Sequence, residues 1–204
     1  MYNYLALGDS YTIGESVPSA DNFPNQIVSK LKEQYELAIA EPKIIATTGW
    51  TTEELLATIK KEEDINPLGE YTFSTLLIGV NNQYRGQEIQ KFLEEFEILL
   101  QKTIAHTKGG AEHTFVLSIP DWGITPFAKE RDTKKIAIEI AAYNQHKKAI
   151  VEKYNCHFID ITPSTIAHGN TEIYLVEDLL HYSGKEYEIW AQKVVNEMAK
   201  VFHF

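Results

Sequence analysis

The chain has 204 residues, of which 44% are hydrophobic, and its formal net charge is −10 at pH 7. Its length and composition suit one α/β domain over residues 1–204 with a single sizeable core. The acidic balance argues against a nucleic-acid partner, because phosphate backbones are bound by clustered lysine and arginine. The single cysteine, Cys156, excludes an intramolecular disulfide and a cysteine-based metal cluster.

The sequence also bears on the membrane and on the cell compartment. No run approaches the roughly 18 apolar residues of a membrane-spanning helix, so we expect no membrane span. We also expect no signal peptide, because the first apolar run begins at Tyr4 and leads directly into a polar turn. We therefore expect a cytoplasmic protein, although the mature domain of an exported protein would begin in the same way.

The chain opens with an apolar run, Tyr4 to Leu7, that leads directly into a small polar turn, Gly8-Asp9-Ser10. This pattern predicts a buried strand whose carboxyl end presents Ser10 at the sheet edge, where ligands of open parallel sheets bind. Gly8 permits a sharper turn than a residue with a Cβ. Read alone, the tripeptide favours an ordinary turn in which Asp9 or Ser10 caps the next helix.

Four further β-rich segments alternate with helical patterns along the chain. The later strands are predicted over Lys43 to Ala46, Thr72 to Ile78, Thr114 to Ile119 and His157 to Ile161. Helices are predicted over Phe23 to Leu37, from Thr51 or Thr52 onward, Gly86 to His106, Asp132 to Tyr154, and Ser183 to the C-terminus. The connections are predicted as loop over Thr12 to Asn22, a turn over Pro67 to Tyr71, loop over Asp121 to Arg131, and a mixed stretch over Thr162 to Leu180. This alternation predicts right-handed βαβ units and a five-stranded parallel sheet between two helical layers.

Polar clusters follow the first three predicted strands, and a fourth cluster precedes the last helix. They are Gly8-Asp9-Ser10, Thr48-Gly49, Gly79-Val80-Asn81-Asn82 and Asp178-Leu179-Leu180-His181. Because parallel strands end at the same edge of a sheet, these clusters can meet there. Each cluster alone has an ordinary explanation as a turn or a helix cap, so the case depends on their coincidence.

Together the clusters contain the parts that a serine nucleophile requires. A serine needs a base to take its proton, and the base works best when a carboxylate fixes its tautomer. Asp178 and His181 are three residues apart, so the carboxylate can reach Nδ1 and leave Nε2 to face Ser10. The backbone at Gly49 and the carboxamide of Asn81 are suited to donate to a developing oxyanion.

At these four clusters the chain resembles the SGNH (GDSL-type) serine hydrolases, whose sequence blocks carry a serine, a glycine, an asparagine and a histidine. The matching residues are Ser10, Gly49, Asn81 and His181. Each block is short and unspecific alone, but the four occur in order, at ordinary spacing, over nearly the whole chain. The chain departs from the family pattern at three positions beside these blocks, which are occupied by Asn82, Leu179 and Tyr182.

The resemblance implies a flavodoxin-like α/β/α sandwich that hydrolyses carboxylic esters of small molecules through an acyl-enzyme. Ser10 would be the nucleophile, His181 the base and Asp178 the residue that orients it. The oxyanion hole would combine the N–H groups of Ser10 and Gly49 with the Asn81 side chain, and no metal or cofactor is implied. Asp9 would support its loop by accepting hydrogen bonds from loop amides.

The substrate is less defined by the sequence. Short-chain or acetyl esters are favoured because no long apolar loop is present, and lysophospholipase-like activity stays open within the family. Acyl transfer on the same site is one alternative. Another is a non-catalytic, flavodoxin-like module that binds phosphate or flavin, although the glycine-rich phosphate motifs are absent from the sequence.

Further candidate substrate-binding residues lie next to the blocks. Asn82, Tyr84 and Arg85 follow the third cluster, and Trp122 and Phe127 lie beyond the fourth strand. Arg85 would meet an anionic group, or it would be a surface arginine paired with a glutamate. The two aromatic residues would form a wall of the cleft or simply cover the edge of the sheet.

Overall fold

Five parallel strands form one sheet in the order β2-β1-β3-β4-β5. The computed structural model describes residues 1–65 and 70–203. The strands are β1 (Tyr4–Gly8), β2 (Lys43–Ala46), β3 (Phe73–Leu77), β4 (Thr114–Leu117) and β5 (His157–Ile159). This is the strand order of flavodoxin-like folds, and the predicted five-stranded parallel sheet is confirmed.

Helices cover both faces of the sheet. In the described residues they are α1 (Ser10–Ile13), α2 (Phe23–Tyr35), α3 (Thr52–Ile65), α4 (Val80–Tyr84), α5 (Ile89–Ala105), α6 (Thr133–Lys153), α7 (Thr162–His168) and α8 (Gly184–Phe202). Helices α2 and α8 pack against each other on one face, and α3, α5 and α6 form the layer on the other. None of these helices is long and apolar enough to cross a membrane.

The apolar periodicity of the sequence explains which helix faces are buried. On α2, Phe23, Ile27 and Leu31 are fully buried, as their spacing of about one helical turn predicts. The helix begins after Asn22, whose side-chain oxygen accepts the N–H of Asn25 at 2.9 Å. Burial of such stripes against the fully buried central strands β1 and β3 forms the core of the fold.

The carboxyl ends of the three neighbouring strands coincide. Gly8, the last residue of β1, lies beside Ala46 of β2 on one side and Leu77 of β3 on the other. A Cβ at Gly8 would collide with the Leu77 carbonyl oxygen and the Thr12 side chain, so the close approach requires glycine. This alignment brings the polar segments after β1, β2 and β3 to one edge.

One prediction of irregular structure was wrong, because very short helices leave no periodic pattern in a sequence. The loop predicted from Thr12 onward overlaps the end of α1, and two further short helices, α4 around Asn81 and Asn82 and α7 within the mixed stretch, were not predicted. The predicted helix over Gly86 to His106 begins only at Ile89, and strand and helix ends elsewhere differ by one or two residues. The turn predicted over Pro67 to Tyr71 falls largely outside the described residues.

Candidate active site

Ser10 is the first residue of α1, directly after the carboxyl end of β1. Asp9 caps this helix, since its Oδ1 accepts the N–H of Tyr11 at 3.1 Å. Ser10 is 3% exposed, so its hydroxyl faces a cleft and not open solvent. The strand and the cap together hold the serine in one orientation at the sheet edge.

A continuous chain of hydrogen bonds joins Ser10, His181 and Asp178. The Ser10 Oγ lies 2.9 Å from His181 Nε2, and His181 Nδ1 lies 2.6 Å from Asp178 Oδ2. The carboxylate assigns the imidazole proton to Nδ1, so Nε2 accepts the hydrogen bond from the serine hydroxyl. The structure therefore brings the three residues together in the predicted hydrogen-bonding order.

The backbone around Asp178 holds its carboxylate in place. Asp178 Oδ1 accepts the N–H groups of Leu180 and His181, both at 2.9 Å. Partial burial raises the pKa of Asp178, but the hydrogen bonds from the His181 side chain and from these two N–H groups outweigh it. The pKa of Asp178 is accordingly lowered below its ordinary value, which keeps an anion beside His181.

Gly49 and Asn81 line the same cleft as Ser10 and His181. Gly49 has a φ of 82°, a conformation that favours glycine. The Asn81 side chain donates one hydrogen bond to the Trp50 carbonyl oxygen at 2.9 Å, which leaves its second N–H for the cleft. The hydrogen bond between Asn81 and Trp50 thus joins the loop after β2 to the helix after β3. The two segments meet beside Ser10, where an oxyanion hole is required.

The cleft has a volume of about 190 Å³. Besides the residues already named, it is lined by Tyr11, Thr48, Val80, Tyr84, Trp122, Phe127 and Leu180. The Trp122 ring lies edge-on to Tyr84 with a centroid distance of 5.2 Å, and its indole N–H donates to Gln83 at 2.7 Å. Of the predicted substrate-binding residues, Tyr84, Trp122 and Phe127 therefore lie at the cleft.

The structure does not bring Asn82 or Arg85 to this cleft. The Asn82 side chain is fully buried, accepts the Thr52 N–H at 3.2 Å and donates to the Thr52 hydroxyl at 2.7 Å. Arg85 donates to the Gly49 carbonyl oxygen at 2.5 Å and pairs with Glu54 at 3.4 Å. Asn82 thus holds the start of α3, and Arg85 holds the loop that carries Gly49. The pair with Glu54 agrees with the alternative of a surface arginine paired with a glutamate.

Sequence reasoning missed several residues that shape the site. Tyr11, Val80 and Leu180 are direct neighbours of predicted residues, so their places beside the blocks were a usable signal. Gln83, which anchors Trp122 and donates to Glu139 at 2.8 Å, lies between the predicted residues Asn82 and Tyr84 and therefore carried the same signal. A wider open groove of about 560 Å³ between α2 and the start of α8 shares no lining residue with the cleft.

Asp9 is fully buried, and within the described residues its Oδ2 has no hydrogen-bond partner. Burial raises the pKa of Asp9 to about 7, although the Tyr11 N–H and the charge of Lys147 oppose the shift. The pKa of an aspartate in the unfolded chain is about 3.9. Between this pH and about 7, the folded chain therefore holds a proton that the unfolded chain releases. The stability that Asp9 contributes is complete below about pH 4 and is lost as the pH rises through about 7.

We therefore expect the Asp9→Asn substitution to reduce the pH dependence of stability. Asparagine keeps an oxygen acceptor for the Tyr11 N–H and does not ionise. Relative to wild type, the variant should gain up to about 1.4 kcal/mol of unfolding free energy per pH unit between about pH 4 and 7. Urea unfolding at both ends of this range measures the effect, and a difference that is independent of pH would contradict it.

Solved structures with the same fold include three enzymes. A lipase/acylhydrolase from Enterococcus faecalis has 22% sequence identity and a TM-score of 0.71, covering 98% of this chain and 96% of that one. A variant of an acetyl xylan esterase from Geobacillus stearothermophilus has 23% identity and a TM-score of 0.69, covering 97% and 94%. The psychrotrophic esterase EstA from Pseudoalteromonas sp. has 15% identity and a TM-score of 0.71, covering 100% of both chains. At these identities the likeness concerns the fold, and a search of curated proteins found no significant match.

A family model gives a further and independent comparison. The model of the GDSL-like lipase/acylhydrolase family matches residues 6–189, which is most of the chain. The matched range contains Ser10, Gly49 and Asn81 as well as the segment from Asp178 to His181. The chain belongs to the GDSL-like lipase/acylhydrolase family.

Proposed function

We propose that the chain hydrolyses carboxylic esters of small molecules through an acyl-enzyme formed on Ser10. The observation that carries the proposal is the hydrogen-bond chain from Ser10 through His181 to Asp178 at a cleft that Gly49 and Asn81 also line. This series of hydrogen bonds supplies a nucleophile, a base and an orienting carboxylate in contact with one another. Family membership supports the same class of reaction.

The first half of the cycle acylates the serine. Ser10 Oγ attacks the ester carbonyl carbon while His181 Nε2 takes its proton, and Asp178 stabilises the resulting imidazolium. The carbonyl oxygen becomes an oxyanion that accepts hydrogen bonds from the Ser10 and Gly49 N–H groups and the Asn81 side chain. One such donor typically contributes about 3 kcal/mol to transition-state stabilisation. His181 then returns the proton to the leaving alcohol.

The second half releases the acid. A water molecule gives its proton to His181 and attacks the acyl carbonyl, and the oxyanion hole stabilises this second tetrahedral intermediate in the same way. The bond between the acyl carbon and Ser10 Oγ then breaks, and His181 returns its proton to Ser10 as the acid leaves. Proton transfer by a positioned base adds about 10²–10⁴-fold to the rate. If an alcohol replaces water at this step, the same residues perform acyl transfer.

The size of the cleft favours a short acyl group. Its volume of about 190 Å³ lies below the roughly 300–1,000 Å³ of pockets that enclose drug-sized ligands. Trp122 closes one side, since it is only 4% exposed and its indole is fixed on Gln83. The acetyl xylan esterase among the structures of the same fold is in keeping with an acetyl or other short acyl group.

A series of p-nitrophenyl esters from acetate to palmitate tests the proposal. We expect the highest kcat/KM with acetate or butyrate and a fall of at least about tenfold by octanoate, because longer chains exceed the cleft. Product analysis with an added alcohol distinguishes hydrolysis from acyl transfer. Flavin or phosphate binding without any ester turnover would support the non-catalytic module and contradict the proposal.

Trp122 offers a direct test of the acyl wall. Replacing Trp122 by alanine should raise the octanoate-to-butyrate ratio of kcat/KM by at least about tenfold, because the truncation lengthens the acyl pocket. Trp122→Phe keeps a ring against Tyr84 and should give an intermediate ratio. A ratio unchanged in both folded variants would show that Trp122 does not limit chain length.

A further inference from the structure

Lys147 lies on α6 and is completely buried beneath the candidate site. Its ammonium donates to the Ile78 carbonyl oxygen at 3.0 Å and to the Leu117 carbonyl oxygen at 2.9 Å. The ring of Phe96 lies below it, with its centroid 5.3 Å from Nζ. Two backbone carbonyls and one aromatic face thus provide the surroundings of a buried cation.

The two carbonyl groups mark the ends of two neighbouring strands. Leu117 is the last residue of β4, and Ile78 directly follows β3. The next residue, Gly79, has a φ of 128°, and α4 begins immediately after it and carries Asn81. The hydrogen bond from Lys147 therefore holds the chain at the point where it turns from β3 toward the oxyanion carboxamide.

The turn at Gly79 is closely packed, so its direction depends on its anchors. A Cβ at Gly79 would approach the Phe92 ring to 2.7 Å, which leaves the backbone pressed against α5. The Gly79 carbonyl oxygen accepts the Gln83 N–H at 3.2 Å and starts α4. Lys147 holds the residue before this turn, Ile78, and α4 begins directly after the turn.

Helix α6 holds the neighbouring strand exit in the same way. Asn144, one helical turn before Lys147, accepts the Ile119 N–H at 2.8 Å and donates to the Ile119 carbonyl oxygen at 2.9 Å.

A buried cation is costly unless its surroundings replace water. Burial lowers the pKa of Lys147 to about 7, and the charge of Asp9 opposes this shift. An apolar side chain of similar length would fill the space but would remove the hydrogen bonds from Lys147 to the two strand-end carbonyls.

We infer that Lys147 is a positioning residue for the oxyanion hole, because its ammonium ties together the carboxyl ends of β3 and β4 below the turn that presents Asn81. The inference rests on the proposed ester hydrolysis at Ser10. Lys147 does not touch the substrate, and it acts through the Ile78 carbonyl and the Gly79 turn. Its loss should displace the Asn81 amide from the tetrahedral intermediate and leave the acyl-binding wall at Trp122 in place.

The test is a double-mutant cycle between Lys147→Met and Asn81→Ala, with p-nitrophenyl acetate as substrate. We expect K147M to lower kcat by about tenfold or more while KM stays within about twofold, because the lost interaction belongs to the transition state. N81A should lower kcat by about 10²–10³-fold. In the N81A background, K147M should lower kcat by less than about threefold, since residues that act as a unit are not additive.

A matched control is Lys148→Met on the next residue. Lys148 is exposed and pairs with Glu152 at 3.8 Å on the helix surface, so K148M should leave kcat unchanged. Circular dichroism and thermal unfolding verify that the variants fold. If K147M does not fold, Lys147→Gln enters the same cycle. Its carboxamide is polar enough for the buried site but too short to bridge the two carbonyls, so the same Asn81-dependent loss of kcat is expected.

The outcomes separate this inference from the proposed function. A folded K147M enzyme with wild-type kcat, or an equal loss of kcat with and without Asn81, would overturn the role of Lys147 alone. Unchanged turnover in Ser10→Ala would instead overturn the proposed function. A loss of kcat that depends on Asn81, in a protein whose activity depends on Ser10, would support both.

Discussion

Replacing Ser10 by alanine is expected to lower kcat/KM for p-nitrophenyl acetate by at least about 10³-fold. Alanine removes the only atom that forms the acyl-enzyme, and it leaves His181 hydrogen-bonded to Asp178 without a nucleophile. The residual rate would come from substrate binding and the oxyanion donors alone. Steady-state kinetics on purified wild type and variant measure the change directly.

A suitable control is Ser19→Ala. Ser19 is exposed, lies in a short turn and does not line the cleft. It should retain wild-type kinetics. Thermal unfolding should show that Ser10→Ala is folded, because removing one hydroxyl from a cleft leaves the core intact. Turnover within about tenfold of wild type in a folded Ser10→Ala protein would place the nucleophile elsewhere.

Replacing Asp178 by asparagine is expected to lower kcat by about 10²–10⁴-fold with little change in the fold. The amide can still accept the Leu180 and His181 N–H groups through its oxygen. Its nitrogen would then face His181 Nδ1 as a donor, which favours the tautomer that cannot take the serine proton. The loss of the anion also removes the stabilisation of the imidazolium.

Glu177 provides the matched control, since it is an exposed carboxylate directly before Asp178 in the sequence. Glu177→Gln removes the same charge without changing the hydrogen bonds of His181 and should keep wild-type kcat. Equal effects of the two substitutions would indicate that the net charge of the loop matters and that the orientation of His181 does not.

Much of the fold could be predicted from the sequence because the parallel-strand pattern is strong. Buried apolar runs such as Tyr4 to Leu7 end abruptly in polar turns, and parallel strands end at the same edge. The positions of Ser10, Gly49 and Asn81 at one edge of the sheet could therefore be predicted from the sequence alone. Asp178 and His181 could be paired because a spacing of three residues confines both to one local turn.

The remaining features depend on contacts between distant segments. Asn82 and Arg85 follow Asn81 in the sequence, but their side chains bind Thr52 and the Gly49 carbonyl oxygen, so neither side chain lines the cleft. Lys147 stands beside Lys148 in a polar stretch and has the pattern of a surface residue. Lys147 is buried because α6 packs against the ends of β3 and β4. The backbone carbonyls at these strand ends accept its hydrogen bonds.

The most direct test of the account is covalent labelling with a fluorophosphonate, followed by peptide mass spectrometry. The reagent phosphonylates a serine only when the nucleophile, the base and the oxyanion donors act together. We expect one adduct, on Ser10 in the N-terminal peptide, that is absent in Ser10→Ala and forms much more slowly in Asp178→Asn. An adduct on another residue, or full ester turnover without any adduct on Ser10, would contradict it.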